Sequence, residues 1–295
     1  MSFNPVFTGV CTALVTPFTN DKVDLKALDA LIDRQIEAGV PALLACGTTG
    51  EPSALTDEEW TQVLQRVISR ANGRAKVIAG TGSNNLSHTL KKARIAVQLG
   101  ADAQLCVTPY YNKTTQQGLC EFFTRIADDS SLPVILYNVP GRTGFSMQSQ
   151  TVEKLSHHPN IVGIKEAGGN LGIMAEILRC CHLPLYCGND ELNDAALQLG
   201  AAGLISVLSN LVPDEVVKLQ RDIVLGRVKS ARARQMQLKG LIDALFIEVS
   251  PIPVKEALAQ LGLIQPTLRL PLVRMQAENL RILQAAMQEK GLLRG

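Results

Sequence analysis

The sequence predicts an α/β protein, a (β/α)₈ barrel with a C-terminal helical subdomain. Eight short apolar runs of strand length alternate with amphipathic helical patterns over the first three quarters of the chain. The runs are apolar on both faces, as strands are in a parallel sheet covered by helices. Eight such units close a barrel, and 295 residues suits one large barrel better than two domains. The alternative, a doubly wound open sheet, calls for a glycine-rich phosphate loop after the first strand. Here that strand runs into Pro17-Phe18 instead.

The expected strands are Val10–Val15, Ala42–Cys46, Lys76–Ala79, Ala103–Val107, Val134–Tyr137, Val162–Ile164, Leu185–Cys187 and Leu204–Val207. Helical patterns fall near Leu25–Ala38, Asp57–Arg70, Ser87–Leu99, Gln116–Asp128, Ser149–Ser156, Leu171–Arg179, Glu191–Leu199 and Pro213–Leu225. Thr56 followed by Glu59 reads as a capping box. Gly39, Gly100 and Gly200 each follow a helical pattern by one residue, the position of a left-handed C-cap. Beyond residue 225, patterns near Ser230–Phe246, Val254–Leu261 and Val273–Glu289 are separated by Pro251, Pro253, Pro266 and Pro271. The expected division is therefore a barrel over 1–225 and a helical subdomain over 226–295.

Composition narrows the function. Hydrophobic residues make up 46% and net charge is only +2, so neither nucleic acid nor an anionic membrane is implied. No apolar run reaches membrane-span length. The start, Met1-Ser2-Phe3-Asn4-Pro5, lacks a basic region followed by an apolar core, so no secretion signal is expected. Seven cysteines show no CxxC spacing, which points to a reduced cytoplasm. Cys106 and Cys187 are the candidates if a thiol nucleophile is used. No His, Cys, Asp or Glu cluster has ligand spacing, so no metal is expected.

The chemistry gathers around Val162-Gly163-Ile164-Lys165-Glu166-Ala167-Gly168-Gly169, a strand that delivers one amine to the barrel rim. A neutral amine forms an imine with a ketone. A lysine near its ordinary pKa of ~10.4 is seldom neutral at pH 7, so such a site must desolvate it or set it beside other cations. Barrel active sites lie in the loops at the strands' C-terminal ends. Those loops carry Gly47-Thr48-Thr49-Gly50-Glu51, Gly80-Thr81-Gly82-Ser83-Asn84, Thr108-Pro109-Tyr110-Tyr111-Asn112, Tyr137-Asn138-Val139-Pro140-Gly141-Arg142-Thr143-Gly144, Gly188-Asn189-Asp190 and Ser206. Glu51 and Asp190 also fit as caps of the helices they precede. No histidine lies in these loops, so hydroxyls would have to relay protons.

The stretches GTTGE (47–51), VIAGTG (77–82), TPYYN (108–112), LYNVPGRTG (136–144), GIKEA (163–167) and PIPVK (251–255) resemble the dihydrodipicolinate synthase family, in its order and over nearly the whole chain. The resemblance implies a TIM barrel and a class I aldolase that condenses pyruvate with L-aspartate 4-semialdehyde. That is the first committed step toward diaminopimelate and lysine. It implies Lys165 as the imine-forming lysine and Tyr137 as its proton-handling neighbour. Thr48 and Tyr111 would complete a hydroxyl relay, Tyr111 reaching in from a neighbouring subunit of a homotetramer. Thr49 would hold the pyruvate carboxylate, Arg142 the semialdehyde carboxylate, and backbone at Gly188 and Ile205 the pocket floor. No cofactor is implied beyond the covalent imine. Another pyruvate-dependent aldolase, of the N-acetylneuraminate lyase or sugar-acid type, is the alternative, and Arg142 argues against it. A non-catalytic keto-acid-binding barrel would be expected to lack the lysine or a tyrosine. Many members of the family also bind L-lysine between subunits. Asn84 and Tyr110 of that cleft are kept, whereas His88, Asp57 and Trp60 depart from it, so lysine inhibition is expected to be weak or absent.

Overall fold

The computed structural model describes residues 4–293, so the leader reading at Met1–Phe3 and the last two residues of the tail lie outside it. Eight parallel strands form a closed barrel, each paired with its neighbours in sequence and the last with the first. They are β1 (Gly9–Ala13), β2 (Ala42–Ala45), β3 (Lys76–Gly80), β4 (Ala103–Val107), β5 (Val134–Asn138), β6 (Ile161–Glu166), β7 (Leu185–Cys187) and β8 (Gly203–Ser206). All eight expected strands are present, with ends displaced by a residue or two.

Side chains that alternate along each strand build two cores. Cys11, Ala13, Leu44, Ile78, Leu105, Ile135, Tyr186 and Ile205 fill the barrel interior. Val10, Leu43, Val77, Cys106, Leu136, Ile164 and Leu204 face the helices outside. The interior is packed by a stacked pair, Phe7 and Tyr186, with ring centroids 4.3 Å apart. Gly163 is small because a Cβ there would stand 3.1 Å from the Tyr186 ring.

Helix ends follow local chemistry. Thr56 accepts from the Glu59 N–H at 3.2 Å and donates its own N–H to the Glu59 carboxylate at 3.1 Å, completing the capping box. Gly39, Gly100 and Gly200 take φ of +81°, +85° and +106°, the left-handed region in which glycine carries no Cβ penalty.

Two helices differ from expectation. The one expected over Glu191–Leu199 is a 3₁₀ turn at Asp190–Leu192 followed by a helix at Asn193–Gln198. The last begins at Ala277 rather than Val273, because Arg274 is drawn to Glu256 and the Gln276 N–H to Glu248, leaving Gln276 extended. A two-residue hairpin, Phe18–Thr19 with Lys22–Val23, was not expected from sequence. The tail helices Val228–Leu245, Ile252–Gln260 and Ala277–Glu289 contribute Leu238, Val254, Leu258, Leu283 and Met287 to the same outer core as the barrel. Among the described residues no helix is long and apolar enough to cross a membrane.

Candidate active site

Lys165 does not stand past the end of its strand, as the expected boundary at Ile164 had it. It lies inside β6, because the backbone ladder to β7 continues through Glu166, paired with Cys187. Its direction is set by an irregularity. Val134 pairs with Ile161, but Ile135 pairs with Gly163, so β6 carries one extra residue, Val162. Beyond that bulge Tyr137 pairs with Lys165, and Lys165 pairs with Tyr186 on the other side. A side-chain period of two means that an unbulged register would place Lys165 beside Asn138 and turn it toward the helices. The bulge turns it into the barrel.

There Lys165 is 7% exposed and Tyr137 6%, with the lysine Nζ 4.4 Å from the centre of the tyrosine ring. Gly188, after β7, lies against Lys165. A Cβ on it would come within 2.8 Å of Lys165 Cε and 2.5 Å of the Ala167 Cβ. Glu166 is fully buried on the opposite face, accepting from Asn138 Nδ2 at 2.8 Å and from the Gly168 N–H at 2.6 Å. Burial pushes its carboxyl above the ordinary range, and those two donors oppose the shift.

Next to this pair opens a cavity of about 260 Å³, walled among others by Thr48, Tyr110, Tyr137, Val139, Arg142 and Lys92. Among the described residues no carboxylate is on its wall, while Lys92 and Arg142 are, so the cavity suits an anion. Thr48 begins a 3₁₀ turn, Thr48–Gly50, with Thr49 buried behind it. Arg142 projects from a helical turn at Pro140–Thr143, and its Nη2 donates to the Ser250 carbonyl at 3.0 Å. Tyr137, Thr48 and Arg142 meet on the cavity wall, and Lys165, itself off that wall, adjoins it through Tyr137. Ile205 belongs to the packed barrel interior, and neither it nor Gly188 is on the cavity wall. Tyr111 is elsewhere: it is 92% exposed and sits at φ +69°, uncommon for an aromatic residue.

Several candidates prove structural. Cys106 and Cys187 are fully buried, and burial pushes both thiols up to about 12, so neither is a nucleophile at neutral pH. Asp190 does not cap the helix it precedes. Its carboxylate takes the Ser206 hydroxyl at 2.5 Å and the N–H groups of Val207 and Leu208, fixing the turn after β8. Glu51 is likewise no cap but the partner of Lys255, at 2.5 Å. Among the described residues no group of three or more His, Cys, Asp or Glu is placed to hold a metal ion.

Residues 6–290 match the model of the Dihydrodipicolinate synthetase family. The chain belongs to the dihydrodipicolinate synthetase family. A relative in Caldicellulosiruptor saccharolyticus, a 4-hydroxy-tetrahydrodipicolinate synthase, is 46% identical over 98% of both chains. The dihydrodipicolinate synthase of Thermotoga maritima superposes with a TM-score of 0.96 at 38% identity, over 98% of this chain and all of that one. The enzyme of Cyanidioschyzon merolae, solved with lysine bound, gives 0.94 at 39% identity, over 98% of this chain and all of that one. The fold and family expected from the six stretches are those found. Sequence reading gave no part to Lys255, which lay inside a quoted stretch, or to Glu166. A charged residue in an otherwise apolar, strand-like or helical run was the available signal for each.

Proposed function

We propose that the chain condenses pyruvate with L-aspartate 4-semialdehyde through an imine on Lys165, giving 4-hydroxy-tetrahydrodipicolinate. The observation that carries this is a buried lysine in register with a buried tyrosine, beside an arginine-walled cavity, in a chain matched end to end by synthases of that name. Lys165 Nζ adds to C2 of pyruvate and water leaves. The cationic imine drains electrons from the methyl group, which loses a proton to give an enamine. Its carbon attacks the aldehyde, whose oxygen takes a proton from a hydroxyl. The semialdehyde's amine then displaces Lys165 and closes the ring.

Tyr137, whose ring centre lies 4.4 Å from Lys165 Nζ, handles these protons. Thr48 links it to Tyr111, which in this reading crosses from a neighbouring subunit. The exposure and positive φ of Tyr111 support that crossing, since an aromatic ring so exposed gains by burial in a partner. Thr49 and its loop N–H groups hold the pyruvate carboxylate, and backbone at Gly188 and Ile205 lines the floor. Arg142 receives the semialdehyde carboxylate, for which a planar fork of donors is suited. The chain works in the cytoplasm as a homotetramer, needs no cofactor or metal, and commits carbon to diaminopimelate and lysine. Residues 1–225 form the catalytic barrel and 226–295 an appended subdomain that buttresses it.

The test is reductive trapping. Borohydride added with pyruvate should fix the three-carbon acid on the peptide holding Lys165, and Lys165→Ala should abolish both label and turnover. An unlabelled wild type, or faster turnover of a sugar-acid aldehyde than of aspartate semialdehyde, would refute the reading.

A further inference from the structure

Outside the reaction path lies a buried ion pair between distant parts of the chain. Lys255 comes from the tail helix Ile252–Gln260, and Glu51 from the loop after β2. Their side chains are 1% and 2% exposed, with Nζ and Oε1 2.5 Å apart. Lys255 also donates to the Thr16 carbonyl at 2.9 Å and lies 4.3 Å from the centre of the Phe18 ring. The other oxygen of Glu51 takes the Arg269 N–H at 3.4 Å. A buried pair is an uncertain source of stability, because desolvation offsets much of the attraction. Its placement gives it another use.

Glu51 is the joint between two 3₁₀ turns, Thr48–Gly50 and Pro52–Ala54. It takes φ 54° and ψ 45°, a left-handed conformation that costs a residue with a Cβ and persists only when surroundings enforce it. The enforcement is visible: the carboxylate is held by Lys255 and by backbone of the tail. One residue earlier, the Gly50 carbonyl accepts the Thr16 hydroxyl at 2.7 Å, so the loop is pinned on both sides. Thr48 and Thr49 are therefore placed by a clamp that reaches across from the tail.

We infer that Lys255 and Glu51 are positioning residues for the keto-acid half of the site, holding the Thr48–Thr49 turn where it receives the pyruvate carboxylate. The inference rests on the pyruvate reading above. The pair's direct hold is on the Thr48–Thr49 turn, whereas Arg142 is held by the Ser250 carbonyl, two residues before the helix that carries Lys255.

Glu51→Gln keeps the shape and removes the charge. In a two-stage reaction, kcat/KM for each substrate reports its own half. For the full-length variant, kcat/KM for pyruvate should fall on the order of tenfold or more, and that for the semialdehyde by clearly less, through the Thr48 relay alone. The pyruvate concentration that half-saturates borohydride trapping should rise in parallel. Equal losses for both substrates, or a lowered Tm with the pyruvate constant unmoved, would overturn the inference. If Glu51→Gln yields no folded protein, the double variant Glu51→Gln/Lys255→Met gives the same comparison with neither buried charge left unpaired. Wild-type enzyme that pyruvate and borohydride leave unlabelled would instead count against the pyruvate reading itself.

Discussion

Removing the Arg142 guanidinium should damage one half of the reaction and spare the other. One of its terminal nitrogens is already engaged, Nη2 on the Ser250 carbonyl at 3.0 Å. That contact fixes the plane of the fork and leaves its remaining donors for the cavity, on whose wall Arg142 stands. A hydrogen bond to a charged group is worth ~1.5–3 kcal/mol. At about 1.4 kcal/mol per factor of ten, its loss lowers kcat/KM for aspartate semialdehyde roughly 10- to 150-fold. Arg142→Ala also strands the Ser250 carbonyl, so the upper part of that range is expected. Arg142→Lys keeps the charge but cannot reproduce the fork, and should recover only a fraction of the loss. Steady-state rates with each substrate varied in turn, alongside borohydride trapping by pyruvate alone, separate the halves. Pyruvate trapping should match wild type. A variant whose kcat/KM for the semialdehyde is unchanged would refute the assignment of Arg142, and with it the main ground for this aldehyde over a neutral sugar acid.

The barrel was legible because strands buried on both faces leave continuous apolar runs, and no solvent face dilutes the signal. Lys165 was legible as a residue but not as a direction. Whether it faces the interior or the helices depends on Val162 being a bulge, and that is decided by the pairing of β5 with β6 rather than by any pattern within the strand. The loops were found for the same reason as the strands, since they are whatever follows them. Their internal wiring was hidden. Glu51 and Lys255 lie 204 residues apart, and Arg142 and Ser250 lie 108 apart. Single-sequence reasoning sees only neighbours, so Glu51 and Asp190 looked like local caps. Tyr111 stands between these cases: its place after a strand was readable, its exposure was not.

Gly188→Ala should hinder imine formation, because the new Cβ would press on Ala167 and on Lys165 Cε at 2.5 and 2.8 Å. Overpacking of about 1–3 kcal/mol should slow pyruvate trapping roughly 5- to 150-fold if it falls on imine formation; an unchanged trapping rate would show that Lys165 is not confined there. The Arg269 guanidinium, bidentate at 2.6 Å on both oxygens of Glu59, holds that carboxyl below its ordinary 4.5. A lowered folded-state pKa means stability that is present above pH 4.5 and lost as pH falls below it, so Tm of Glu59→Gln should be lower at neutral pH and converge on wild type in acid. Parallel Tm curves would exclude the pair as a source of acid lability. Lysine, finally, should not inhibit. A lysine ammonium leaving water for a cleft needs a carboxylate, or its desolvation goes uncompensated. His88 is exposed and cannot supply one. Asp57 could, but its carboxylate is bound by Lys91 at 2.6 Å, an attachment that lowers its pKa and uses its charge. Trp60, 1% exposed and bonded to the Gly80 carbonyl at 3.3 Å, is a core residue with Lys92 above its ring, 5.4 Å from the centre. Lys91 is faced by Glu58 as well as by Asp57, so the acids at this helix start already have a cation beside them. Initial rates at saturating pyruvate with L-lysine titrated into the millimolar range decide the matter. Half-inhibition below about 1 mM, equivalent to binding near −4 kcal/mol, would mean that a carboxylate reaches the cleft from a partner subunit.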